Sequence, residues 1–555
     1  MLFNTVLVLI FAMVVSILIE LPLIYARLLD KKRWVPINSA PRMIGDDFYY
    51  YSFLNLYHKK FLKRFYKKYQ HIYIRRVPTP ITFQLAGVIL NMIPYHLGWM
   101  LEDKRLGVLF VKIWNRFLLF ISIYCCAFSI FGLLGSTMGT PEYFCLSLLF
   151  FAIYPGPLSL SRNGLLWNSF NNKHLFDFAQ VNDLTRGMHS ETTVPILFFA
   201  IASLLSSVGM PQITIVMGIF SIILYFQYFP AFIVFGLLSV TILVYCYFFV
   251  AAILIGSVLV LMALYYVYVL SKCKVSSELI VHDDDGKLFR FGKRSSVEFL
   301  IISAVCLAIY FHYKNPTLTM LVSIPSLFFL TNFLFKHQLS RFWDRGATSL
   351  VQLITASVCV KEISAYNSIY VYIMSVLLLC VIILYFSRNT LFLWGKYSTK
   401  VIDEAAVNSL EMNSTSDLVY VTDNLELASY IDLYTNDRPL LLNFMLQTKG
   451  YKDHLFDICL NYKYLGYNLE AFLEFLTGPA GEWRSLEARE NIDVSYTFRH
   501  EVQYLSTCYL FNHKIIIDGM FVDRKWSSEY VLLLKDTWES VLIGDRPNFK
   551  ILRKI

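Results

Sequence analysis

Two adjacent carboxylates, Asp46 and Asp47, stand in the run Ile44-Gly-Asp-Asp-Phe-Tyr-Tyr-Tyr-Ser52, just after the first long apolar stretch. A carboxylate held beside a membrane can take the proton of an acceptor hydroxyl as that hydroxyl attacks an anomeric carbon. The phosphate that leaves then needs a cation: Arg, Lys or a metal ion. Neighbouring residues on a helix lie about 100° apart, so one carboxylate faces the reacting centre. The other orients it, caps the helix or holds a cation. A helix N-terminus accounts for the same residues, because a carboxylate there complements the helix dipole.

Two further groups could bind phosphate. In Asp183-Leu-Thr-Arg-Gly-Met-His-Ser-Glu191, Arg186 offers a planar fork, and His189 and Glu191 offer acid, base or cation-ligand chemistry. An ordinary polar loop beside a membrane accounts for this group equally well. In Arg341-Phe-Trp-Asp-Arg345, the two arginines around a tryptophan suit phosphate binding and interfacial anchoring alike. The triplet Asp283-Asp284-Asp285 is the candidate for a divalent cation, although its spacing is wrong for an EF-hand and acidic turns are common. No other cofactor is expected. Serine-hydrolase, zinc-protease, CxxC, dinucleotide and P-loop patterns are all missing, which removes hydrolytic, redox and soluble-nucleotide chemistry.

The elements that position these residues are membrane helices. Of 555 residues, 56% are hydrophobic and 16% charged, and the mean hydropathy is +0.52. Soluble domains carry about a quarter charged residues. Apolar runs of about 18 residues or more recur, as bilayer-spanning helices require. The first helix is predicted over 2–25, uncleaved. Further spans are predicted near 106–134, 142–158, 194–209, 211–228, 229–247, 248–270, 297–313, 317–335, 349–361 and 367–387, about eleven in all. Charges are expected at span ends rather than inside spans, and no internal repeat is seen; both count against a transporter.

Between the first two firm spans the chain is basic and aromatic. Lys31 to Arg76 holds twelve Lys and Arg against Asp46 and Asp47, within a formal net charge of +9. This suits anionic headgroups, or equally a cytoplasmic positive-inside loop. Tyr50, Phe53, Leu54, Tyr57, Phe61 and Phe65 recur at helical spacing, with Lys59, Lys60, Lys63 and Lys67 largely elsewhere on the wheel. Such a helix lies in the membrane interface. The stretch 81–101, interrupted by Asn91, Pro94, His96 and Gly98, reads as a second interfacial or re-entrant piece. With an inside N-terminus, 27–105, 158–195, 271–296 and the C-terminal part fall on the outer side, against the positive-inside rule for the basic first loop.

Residues 388–555 turn polar. Strands are predicted at 418–421 and 439–443, with a helix near 450–477 and a break at Gly478-Pro-Ala-Gly481, and 504–510, 514–518 and 530–534 complete a βα-rich module. Cys459 and Cys508 read as two free thiols.

The chain resembles the GT-C class of integral membrane glycosyltransferases, particularly bacterial members related to the aminoarabinose and protein mannosyl transferases. The resemblance is carried by Gly45-Asp46-Asp47 with Phe48-Tyr49-Tyr50 after the first span, by Arg186 to Glu191 in a later outer loop, and by Val419 to Ala428 with Ile431 to Thr435 opening a terminal domain. It implies a helical transmembrane domain over 1–387 and an extracytoplasmic α/β domain over 388–555, in the bacterial inner membrane. It implies a polyprenyl-phosphate-linked sugar donor, a glycan, lipid or protein acceptor and inversion at the transferred sugar. Asp46 or Asp47 would be the base, and Arg186, Arg341 or Arg345 would hold the lipid phosphate. No nucleic-acid partner is expected. An O-antigen polymerase or ligase-like enzyme is the alternative, and a lipid-linked oligosaccharide flippase or other transporter stands as a different class.

Overall fold

The computed structural model describes residues 2–29, 44–67, 85–101, 104–153, 188–208, 210, 212–272, 304, 307–324, 348–397, 419–422, 438–441, 519–523, 540–545 and 549–554. The helices are α1 (Leu2–Leu29), α2 (Ile44–Phe65), α3 (Leu85–Met100), α4 (Lys104–Leu133), α5 (Thr140–Ile153), α6 (Met188–Ser206), α7 (Ile213–Gln227), α8 (Phe229–Tyr245), α9 (Phe249–Lys272), α10 (Thr348–Tyr366) and α11 (Ser368–Tyr397). Residues 307–313 and 316–324 are also helical. Three described helices are long and apolar enough to cross a membrane, over Asn4–Leu21, Leu106–Leu133 and Ser368–Tyr385. Shorter apolar helices cover Thr140–Ile153, Thr192–Ser206, Ile213–Gln227, Ala231–Tyr245 and Phe249–Tyr265.

Local chemistry divides the continuous apolar run between 211 and 270. Pro230 starts α8, where its missing N–H costs nothing, and Tyr228 before it is extended at φ −161°. Tyr247 takes a left-handed φ of 63° and ends the same helix, while the Phe248 N–H reaches back to the Leu243 carbonyl at 2.9 Å. The connection after α4 closes in the same way. Gly135 has φ 73°, a conformation glycine takes without steric cost, and the Ser136 N–H donates to the Phe131 carbonyl at 3.0 Å. Three helices outrun their predicted ends by a turn or more: α1 by one turn, α10 by five residues, and α11 by ten, where Leu391-Phe-Leu-Trp394 continues its apolar pattern.

The centre of the helical body is α4, which packs on α1, α3, α6 and α10. Helix α5 sits against α10 and α11, and α6 to α9 pack consecutively. Phe120, Phe131, Tyr143, Phe150, Phe151 and Phe198 are fully buried here. The Tyr143 hydroxyl donates to the Phe120 carbonyl at 2.9 Å, and Phe11 stacks on Phe144 at 4.0 Å between ring centroids. Between helices in lipid, such van der Waals contacts and hydrogen bonds supply the association that water would otherwise drive. Helices α9 and α11 present exposed rows such as Ile253, Leu261, Ile373 and Leu384, the faces suited to acyl chains.

Helices α3 and α4 cross at glycine. A methyl added to Gly98 would lie 2.4 Å from the backbone nitrogen of Gly107, so no side chain fits at this contact. Helix α3 has 16 residues, about 24 Å at 1.5 Å each, short of the roughly 30 Å hydrocarbon core.

Among the described C-terminal residues, five strands pair in the order β2-β1-β3-β5-β4: β1 (Val419–Thr422), β2 (Arg438–Leu441), β3 (Gly519–Asp523), β4 (Ser540–Asp545) and β5 (Phe549–Lys554). Strand β1 runs parallel to β2 and β3, while β5 runs antiparallel to β3 and β4. The first two fall within a residue or two of their predicted positions. The β4–β5 hairpin was not predicted, although Val541-Leu-Ile and Lys550-Ile-Leu flank Gly544-Asp-Arg-Pro-Asn548, a strand-turn-strand signal. The segments 504–510, 514–518 and 530–534 expected to complete the module, the helix at 450–477 and both cysteines there lie outside the described residues.

Candidate functional site

Asp46 and Asp47 fall in the first turn of α2, and His189 and Glu191 in the first turn of α6. Helix α2 packs on both α3 and α6, so two of the predicted groups begin helices that touch each other. The side chains of these four residues, and the whole of Arg186, Arg341, Arg345 and Asp283 to Asp285, lie outside the described residues.

The face that α2 turns inward is not the aromatic stripe alone. Leu54 from that stripe is buried, joined by Asn55, His58 and Leu62, while Phe65 at the end is 64% exposed. The polar residues on this face find partners on α3. The Tyr95 hydroxyl donates to Asn55 Oδ1 at 3.2 Å. His58 Nε2 and His96 Nδ1 are hydrogen-bonded at 3.0 Å, and His96 Nε2 bonds the Tyr66 hydroxyl at 2.9 Å. The rings of Tyr95 and Trp99 stand edge-on to His58 at 5.0 and 5.3 Å.

Burial is the main reason both imidazoles resist protonation. His58 is lowered to about 3, helped by the neighbouring His96 and the charge of Lys59, and His96 is lowered by burial. The folded protein therefore binds fewer protons than the unfolded chain between pH 6.5 and about 3. The stabilisation is complete above the ordinary histidine value and is lost as pH falls through that window, at up to about 1.4 kcal/mol per pH unit. Melting in detergent should accordingly drop steeply below pH 6.5. His58→Gln should flatten that slope; an unchanged slope would place the loss elsewhere.

A second polar seam joins α3 to α6 and α7. The Gly87 N–H donates to Gln227 Oε1 at 2.6 Å, and Gln227 Nε2 donates to Thr193 Oγ1 at 3.1 Å. Asn91 Nδ2 donates to the Gly87 carbonyl at 2.8 Å and to Thr192 Oγ1 at 3.2 Å. Thr192 and Thr193 directly follow Glu191, so this seam fixes the start of α6 against α3.

The third group is charged. Arg116 Nε donates to Glu20 Oε1 at 3.2 Å, with side chains 2% and 6% exposed, and the guanidinium lies 5.4 Å from the Phe151 ring centroid. Lys112 and Asn115 share this face of α4 and are buried at 4% and 1% exposure. Glu20 lies within the candidate span of α1, and Lys112 and Arg116 within that of α4. The expectation of charges at span ends is therefore corrected for Lys112 and Arg116, which lie well inside a span and face other helices, while Glu20 stands one residue from the end of its span.

No protein-family model matches the chain, and no curated protein sequence matches it.

The sequence reading missed His58, His96, Glu20, Lys112 and Arg116 as site residues. For the last three the signal was present: a charge inside an apolar window marks a helix face turned from lipid. For the histidines there was none, because their pairing depends on how α2 settles on α3.

Proposed function

We propose that the chain is a polytopic membrane glycosyltransferase that moves a sugar from a polyprenyl-phosphate carrier to an envelope glycan, lipid or protein on the outer face of a bacterial inner membrane. The observation that carries this reading is that α2 packs on α6 and that polar seams tie each of them to α3. This packing draws together the two helices that open with Asp46-Asp47 and with His189 and Glu191. Eleven residues separate Asp47 from His58, three turns and about 20° at 100° per residue. Asp47 thus shares the helical phase of the buried row Leu54, His58 and Leu62, and Asp46 lies a further 100° round. This favours Asp47 as the base.

In the reaction, Asp47 accepts the proton of the acceptor hydroxyl as its oxygen bonds to the anomeric carbon. The bond from that carbon to the phosphate oxygen breaks on the opposite side, so configuration inverts. Cationic side chains hold the phosphate that leaves. The reading carries with it about eleven spans and an extracytoplasmic α/β domain over 388–555, in which β1 to β5 would form the sheet after α11 ends at Tyr397.

One observation favours a second reading. A buried ion pair between Arg116, inside one candidate span, and Glu20, near the end of another, is the kind of element a flippase or transporter uses. Single cysteines introduced into 27–105 and 158–195 should react with a membrane-impermeant thiol reagent from the outer face. Labelling of both loops only from the cytoplasm would remove the lipid-phosphate transferase.

A further inference from the structure

We propose that Lys112, with Asn115 and Arg116 one turn further along α4, forms a binding site for the phosphate of a membrane lipid. The inference rests on the transferase reading for the kind of lipid. The need for an anion comes from the geometry.

Glu20 on the facing helix is taken by Arg116 at 3.2 Å. Among the described residues, no carboxylate stands within ion-pair distance of Lys112, which is 4% exposed. Its charge therefore has no acid among them to offset it. Beside it, Asn115 is 1% exposed, and neither its amide nitrogen nor its oxygen is hydrogen-bonded among the described residues. One helix face therefore sets a cation next to an amide donor, and an oxygen anion satisfies both.

Depth and surroundings select a lipid as its bearer. Lys112 lies eight residues into α4, about 12 Å along the axis from its start. A phosphate on a membrane anchor reaches that depth with its chain still in hydrocarbon. Helix α1, which bears Glu20, exposes the row Ile10, Val14, Ile17 and Leu21 along which such a chain can lie. The sequence had assigned this role to Arg186, Arg341 and Arg345.

The test uses full-length protein in phosphatidylcholine nanodiscs, its thermal midpoint read against decaprenyl phosphate, decaprenol and inorganic phosphate. Decaprenyl phosphate should raise the midpoint by several degrees and decaprenol should not. Lys112→Met, close in volume and uncharged, should abolish the shift, and Lys112→Arg should retain most of it. Should the Met variant fail to fold, Lys112→Gln takes its place. No shift with decaprenyl phosphate, an equal shift with decaprenol, or an equal shift in the Met or Gln variant overturns the site. An equal shift with inorganic phosphate alone overturns the lipid as its bearer. No sugar is present, so the result is separate from transfer: binding intact in a protein that moves no sugar would count against the transferase reading only.

Discussion

Asp47→Asn should lower sugar transfer by about 10²–10⁴-fold, the usual contribution of a positioned general base. Asparagine keeps the shape and the helix-capping ability of aspartate but cannot take a proton. Expression, insertion and melting temperature should stay within a few degrees of the native protein. Asp46→Asn should keep most of its activity, because it lies off the phase of the buried row Leu54, His58 and Leu62. Measured side by side, the two variants separate catalysis from capping. Equal and full activity in both would remove the carboxylates from the chemistry. Equal loss in both would mean that the pair acts together.

Breaking the Glu20–Arg116 pair from one side should be strongly destabilising. Arg116→Met alone leaves a buried carboxylate at 6% exposure without its guanidinium. Breaking a buried pair in this way costs about 3–5 kcal/mol. Replacing both partners, as Glu20→Met with Arg116→Met, should recover the larger part, since well-packed apolar residues often substitute for a buried pair at little cost. The contact of Arg116 with the Phe151 ring adds a smaller cation–π contribution that the double variant also loses. Melting of the three proteins in one detergent gives the coupling directly. If the double variant is as unstable as the single one, the ion pair is not what Arg116 contributes.

The helical body was legible because its main signal is one-dimensional. Apolar runs placed α4 and α7 to α9 within a few residues, whereas α6 begins at Met188, six residues before its predicted start, so His189 and Glu191 are helical rather than in a loop. The break at Tyr247 carried no mark in the sequence, since a tyrosine in the left-handed region follows from how the chain closes α8 rather than from its own preference. In α2 the periodicity was right in period and displaced in phase. Aromatic residues set the wheel, but Asn55 and His58 find partners on α3, and those bonds turn the helix toward them. Gly98, which meets Gly107 of α4, was read only as an interruption of 81–101. Asp46-Asp47 and His189 with Glu191 were visible by residue type, whereas the contact between the two helices they open depends on packing. Lys112 and Arg116 were absorbed into a span because one hydropathy window averages a charge away. Their burial shows only when the facing helix is in place.

The measurement that tests the central claim most directly is transfer by the purified protein. Full-length protein in nanodiscs would receive a polyprenyl-phosphate-linked sugar bearing a radiolabel, together with lipid, glycan and protein acceptors from an envelope extract. The label should leave the carrier, appear on one acceptor class and free one polyprenyl phosphate for each sugar moved. A folded, inserted protein that leaves every such donor intact, and in liposomes carries it whole from one leaflet to the other, would contradict the transferase and establish the transporter in its place.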